Sequence, residues 1–199
     1  MKKTLTLVLS LALAVAIGIG GTLAWLTSST GPVTNTFTVG KLAITLDEAP
    51  VDANGKTTTG DRGAGNSYKL MPGHTYDKDP TVHVQPGSEA CFVFVKVENG
   101  ISSIESTTNK IADQITAQGW MAVADHAGYY YKTQDAVAEG AAAVDLVVFK
   151  GFEIADDANC AACTDAKIVI TACAIQADGM TDAADAFGKC PSAFTGISA

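Results

Sequence analysis

Three histidines, His74, His83 and His126, and five cysteines, Cys91, Cys160, Cys163, Cys173 and Cys190, are the side chains of this chain best suited to metal or redox chemistry. His74, Asp77, Asp79 and His83 fall in one short stretch, and imidazole with carboxylate is a workable ligand set. They sit around turns and a short strand, where alternate residues face opposite ways. The expectation is therefore solvated turn residues, with no metal site. No histidine has a second one four positions away, as a zinc peptidase helix requires. No Gly-x-Ser-x-Gly elbow signals an acyl-transfer serine. The glycines at 60, 63 and 65 lack the Lys-Ser/Thr of a phosphate loop. Asp178, Asp182 and Asp185 lack the spacing of a calcium loop and read as the charged start of a helix. The residues assign no catalytic group and no cofactor, and the chain is expected not to be an enzyme.

The cysteines allow more than one reading. Cys160-Ala-Ala-Cys163 has the spacing of half a zinc site or of a redox pair. Without a second such pair or a neighbouring histidine, the local alternatives are two free thiols or a candidate Cys160–Cys163 disulfide. Cys91 and Cys173 fall within apolar runs and read as small buried side chains. An odd count leaves at least one thiol unpaired or reaching another molecule, with Cys190 as the candidate. Tyr129, Tyr130 and Tyr131 alternate across a strand. Ordinary packing with a cross-strand partner such as Trp120 is expected, against the alternative of a sugar- or protein-binding surface.

The 199 residues carry 13 basic and 21 acidic side chains, a net charge of −8. That balance disfavours nucleic acid and anionic membranes as partners. Only 17% of the residues are charged, which suits packed sheets better than long solvated helices.

The elements that must position these side chains read mainly as short strands. Residues 34–46 form a first strand interrupted at Gly40. Residues 47–66 are polar and glycine-rich, a long loop of the kind that is often mobile or functional. Short strands follow at 67–71 and 81–84, each closed by Pro-Gly. Residues 90–98 are the clearest strand: Cys91, Val93, Val95 and Val97 share one face, and Phe92 and Phe94 begin the other, so a central position is expected. Ser102 with Glu105 reads as a capping box opening an amphipathic helix that ends near Gln118. Residues 120–124 and 129–132 flank Asp-His-Ala-Gly as a hairpin. Strands at 144–154 and 167–177 follow, then a short helix at 181–187 and a loose tail from 189 to 199. The sum is one antiparallel β-sandwich domain over residues 25–199, with one or two short helices.

The first 46 residues are of a different kind. Lys2 and Lys3 precede an apolar run from Leu5 to Ile19, and Gly20-Gly21-Thr22-Leu23-Ala24 follows. This is the order of a secretory leader, with cleavage between Ala24 and Trp25, and the run is short for a membrane anchor. Removing Lys2 and Lys3 with it shifts the net charge of −8 to −10. Gly21-Thr22-Leu23-Ala24 before Trp25, then Asn35-Thr36-Phe37-Thr38-Val39-Gly40-Lys41-Leu42, resembles the leader and first strand of proteins exported through the SipW-type signal peptidase. The segments 68–80 and 168–179 extend the resemblance to the family of TasA and camelysin, fibre subunits of the biofilm matrix.

That resemblance implies a jelly-roll version of the sandwich behind a signal-peptide helix. It also implies a secreted protein of the extracellular matrix or cell surface that assembles into fibres with copies of itself. Its assembly strand would lie within residues 25–46, with Asn35, Phe37, Val39, Leu42 and Ile44 as the pairing residues. Processing by the SipW-type peptidase would free that segment to enter a neighbouring copy. A matrix accessory subunit or a polysaccharide would be a further partner. Two alternatives stand beside it. One is a secreted monomeric binding module or adhesin using the 47–66 loop and the tyrosine hairpin. The other is a metallopeptidase, as camelysin has been classed, which the absent HExxH disfavours.

Overall fold

The computed structural model describes residues 40–163 and 165–196. The leader, the Ala24–Trp25 junction and Asn35, Phe37 and Val39 lie outside them.

Among the described residues, nine strands pair antiparallel throughout: β1 (Ile44–Asp47), β2 (Thr75–Asp77), β3 (Thr81–Val84), β4 (Cys91–Asn99), β5 (Met121–Ala122), β6 (Tyr129–Gln134), β7 (Val144–Val147), β8 (Gly151–Glu153) and β9 (Ile168–Gln176). Three short α-helices accompany them, α1 (Ile111–Ala117), α2 (Ala183–Gly188) and α3 (Ser192–Thr195), with a 3-10 turn at Cys160–Cys163. The sheets run β1-β3-β7, β2-β8 and β5-β6-β4-β9.

The expected all-β antiparallel architecture is present, and β4 organises it. Its period-2 alternation divides two cores. Cys91, Val93, Val95 and Val97 join Val82, Val84 and Leu146 of the three-stranded sheet in the larger core. Phe94, on the opposite face, joins Tyr129, Phe187 and Phe194 in a second core under α2 and α3. A strand apolar on both faces must be central, and β4 lies between β6 and β9.

Several elements differ from the sequence expectation. Residues 67–71 join no ladder among the described residues. Their polar groups turn to a side chain instead: the Tyr76 hydroxyl accepts from the Met71 amide at 2.8 Å and donates to the Lys69 carbonyl at 2.7 Å. The 144–154 strand is two, because Val148 and Phe149 are both fully buried where the chain passes from one sheet to another. The Ser102–Glu105 box does not form. The Glu105 carboxylate instead accepts from the Ile111 amide at 2.6 Å, at the true start of the helix; Ile111 and Ile115 supply its buried face. Of the tail expected to be loose, residues 190–196 are docked, since Phe194 is buried and Tyr129 donates its hydroxyl to the Thr195 carbonyl at 2.8 Å.

Candidate functional site

The functional feature with most physical content is the outer edge of β9. All nine residues of β9 pair with β4. Among the described residues, no strand pairs with its other side. The strand reads Ile-Val-Ile-Thr-Ala-Cys-Ala-Ile-Gln, without a charge, a proline or a glycine. None of its residues is fully buried, and Val169 is 38% exposed. Soluble proteins blunt such edges with charges, prolines or bulges, because unpaired backbone groups template pairing with another chain. β9 has none of these devices.

A groove of about 870 Å³ lies beside this edge, with Ile168 and Ile170 of β9 and Leu46 of β1 in its lining. Tyr68 and Phe152 also line it. Their rings meet edge to face with centroids 5.1 Å apart, and Phe152 stacks on Tyr76 at 5.0 Å. The phenol of Tyr68 donates to the Asp77 carbonyl at 2.9 Å, and burial pushes its pKa well above the usual range. The lining is mixed, with Asp47, Asp165 and Lys167 in it as well as these apolar side chains, and it holds one buried ion pair. Lys78 and Glu48, 8% and 5% exposed in their side chains, form a buried salt bridge, and Asn66 donates to the second Glu48 oxygen at 2.9 Å.

The 47–66 loop frames the groove and is held firmly. Glu48 and Gly63 exchange backbone hydrogen bonds of 2.8 and 2.9 Å. Arg62 binds Asp47 at 2.5 Å and Asp79 at 2.8 Å. Gly55, at φ +72°, is buried against Tyr76 and accepts from the Asp77 amide at 2.8 Å. A Cβ there would meet the Tyr76 ring at 2.4 Å.

The residues considered for chemistry are spread over separate networks. His74 Nδ1 faces the Pro72 carbonyl at 3.0 Å. Asp77 pairs with Lys56, Asp79 with Arg62 and the Ala49 amide. His83 lies between two carboxylates, Nδ1 at 2.6 Å from Asp145 and Nε2 at 2.9 Å from Asp47. Burial pulls its pKa down, but the hydrogen bonds and charges of both aspartates outweigh this and hold it above 6.5. With both ring nitrogens engaged by carboxylates, His83 is a clamp between β1, β3 and β7. Among the described residues, no group of three or more His, Cys, Asp or Glu side chains is placed to hold a metal ion.

Asp182 caps α2, accepting from the Ala184 and Asp185 amides at 2.9 Å each. The tyrosines pack within the fold: Tyr129 is buried, Tyr130 pairs across the hairpin with Ala122 and Tyr131 with Met121. Trp120 is fully buried and donates to the Val147 carbonyl at 2.8 Å. Cys160 and Cys163 stand at the groove as free thiols.

Of the residues expected in an assembly strand, Ile44 pairs with Val84 in β1 and Leu42 packs on the larger core, so both belong to their own chain's fold. The open edge of β9 was not singled out from sequence. Its signal was available as nine residues with no charge, proline or glycine, but which strand stands at an edge is a property of topology. Comparison with protein-family models, curated proteins and solved structures finds no match for this chain.

Proposed function

We propose that this chain is an exported structural subunit of an extracellular matrix, and that copies join by strand addition to β9. The single observation supporting this reading is the long, uncharged edge of β9, unpaired among the described residues, beside a groove of mixed polar and apolar lining. In this reading the two larger sheets form a jelly roll with one strand position open at the free edge of β9. The occupant is residues 25–39 of another copy, freed by cleavage after Ala24. Main-chain hydrogen bonds supply affinity and the groove takes alternate side chains such as Phe37 and Val39. Fifteen extended residues reach about 50 Å, more than the roughly 30 Å of a nine-residue strand. Each copy gives one strand and accepts one, so the contact is head-to-tail and propagates as a filament.

Leu42 and Ile44 are left out of the donor because Ile44 pairs with Val84 in its own sheet and Leu42 packs on its own larger core. The protein acts outside the cell, with the signal peptidase as a transient partner and an accessory subunit or polysaccharide as a later one. It carries no catalytic role.

The test is electron microscopy of purified protein beginning at Trp25, beside protein beginning at Gly40. The expected result is filaments from the first and folded monomers from the second. Monomers from both at every concentration and pH, even with seeds, would contradict the proposal and leave the segment folded back on its own chain.

A further inference from the structure

The wall of the groove brings three side chains of complementary reactivity together. Lys78 Nζ donates to Glu48 Oε2, and Asn66 Nδ2 donates to Glu48 Oε1 at 2.9 Å. One carboxylate thus holds an amine on one oxygen and a carboxamide on the other. The Lys78 and Glu48 side chains are almost completely buried, and all three residues line the groove beside Tyr68 and Phe152. The carboxamide is oriented at both ends. Its Nδ2 also donates to the Ala49 carbonyl at 2.8 Å, and its Oδ1 accepts from the Val51 amide at 3.2 Å. Glu48 is itself fixed by its pair of backbone hydrogen bonds with Gly63. An amine nucleophile, a polarised amide and a carboxylate able to carry protons between them therefore share one site.

We propose that Lys78 and Asn66 join in an intramolecular isopeptide bond, with Glu48 as the proton carrier. The step is a transamidation and needs no outside reagent. Lys78 passes a proton to Glu48 across their hydrogen bond, leaving the neutral amine, which is the nucleophilic form. The Nζ lone pair attacks Asn66 Cγ and forms the new C–N bond. The carbonyl electrons move to Oδ1, where the Val51 amide stabilises the developing negative charge. Glu48 gives its proton to Nδ2 and takes one from Nζ. The electron pair on Oδ1 then restores the carbonyl, the Cγ–Nδ2 bond breaks, and its electrons leave with ammonia. No group is oxidised or reduced. Holding amine, amide and proton carrier on one buried carboxylate replaces a chance collision by a positioned one. The product fastens the end of the 47–66 loop to the connection between β2 and β3, beside the groove. The ion pair is the state before the bond closes, and the pair's own contribution to stability belongs to that state.

This inference does not depend on whether copies assemble. Its test is mass spectrometry of the full chain, intact and after trypsin, followed through incubation of the folded protein. The expected intact mass is that of the sequence less one ammonia. Trypsin cuts after Lys69, between the two residues, so residues 63–69 and 70–96 should be recovered as one branched species with no cut after Lys78. Glu48→Gln keeps both partners and should abolish the bond, as should Asn66→Ala. A chain of full mass that is cut normally after Lys78 would overturn the proposal. Loss of ammonia without the branched species would also overturn it, since that marks a cyclic imide formed by Asn66 with its own backbone. Bond formation in Glu48→Gln at the parent's rate would overturn the role given to Glu48. The unsubstituted chain alone decides whether the bond forms if a variant fails to fold.

Discussion

His83 and Asp145 stand directly opposite one another on β3 and β7 and share a hydrogen bond of 2.6 Å. Asp47 of β1, diagonal to His83 across the ladder, takes the other ring nitrogen at 2.9 Å. One imidazole side chain therefore ties all three strands of a sheet. The pKa of His83 is raised above 6.5, so its stabilisation is fully present below that value and is lost as pH rises through the folded-state pKa. For Asp47, burial acts to raise the pKa, but His83 and Arg62 outweigh it and depress it below 3.8. Its contribution is present above 3.8 and lost as pH falls through the folded value. Thermal melts between pH 5.5 and 8.5 are expected to show declining stability, and His83→Gln should flatten that decline. An equal pH dependence in the variant would refute the clamp.

The Lys78–Glu48 pair is the most deeply buried ion pair among the described residues. Removing one partner strands a buried charge, which costs about 3–5 kcal/mol. Lys78→Met should therefore shift the urea midpoint strongly. The double variant with Glu48→Gln should recover much of the loss, because no charge is left unpaired. A double variant as unstable as Lys78→Met would show that packing around the pair matters more than its charge.

Gly55 combines a positive φ with close approach to the Tyr76 ring. Gly55→Ala is expected to cost about 1–3 kcal/mol and to open the 47–66 loop to protease, read as faster cleavage within that loop. Unchanged cleavage would mean that Arg62 and Asn66 hold the loop without this contact.

Phe194 joins Tyr129 and Phe187 at centroid separations of 5.7 and 6.5 Å. Phe194→Ala should destabilise by about 3 kcal/mol and release residues 189–196, seen as rapid amide exchange there. Stability within experimental error of the parent would contradict the docking of this segment.

What the sequence made legible was local. The alternation of Cys91, Val93, Val95 and Val97 against Phe92 and Phe94 marked a central strand, and Asp125 to Gly128 marked a hairpin, because both signals lie within a few residues. What it hid depended on distant partners. Residues 67–71 have the composition of a strand, yet the Met71 amide and the Lys69 carbonyl are taken up by the Tyr76 hydroxyl. Glu105 looked like part of a capping box three residues from Ser102, but it caps a helix that begins at Ile111. The tail after Lys189 looked polar, and the single aromatic Phe194 suffices to anchor it once Tyr129 and Phe187 form its socket. The groove depends on β1 and β9 being brought side by side from opposite ends of the described chain, which no local pattern encodes.

The open edge of β9 makes a further expectation about solubility. Val169→Lys places a charge at its most exposed apolar position, a device by which edges are blunted. The variant should remain folded and form filaments at least tenfold more slowly than the parent in a seeded light-scattering assay, a change of about 1.4 kcal/mol in effective barrier. Unaltered growth would place the contact elsewhere.

The most direct measurement adds a synthetic peptide of residues 25–39 to the chain beginning at Gly40 and follows amide hydrogen exchange along β9. The account expects saturable binding with new protection within Ile168–Gln176 and little change in β6, which lies on the far side of β4. No binding, or protection confined to other strands, would contradict the claim that this edge receives another copy.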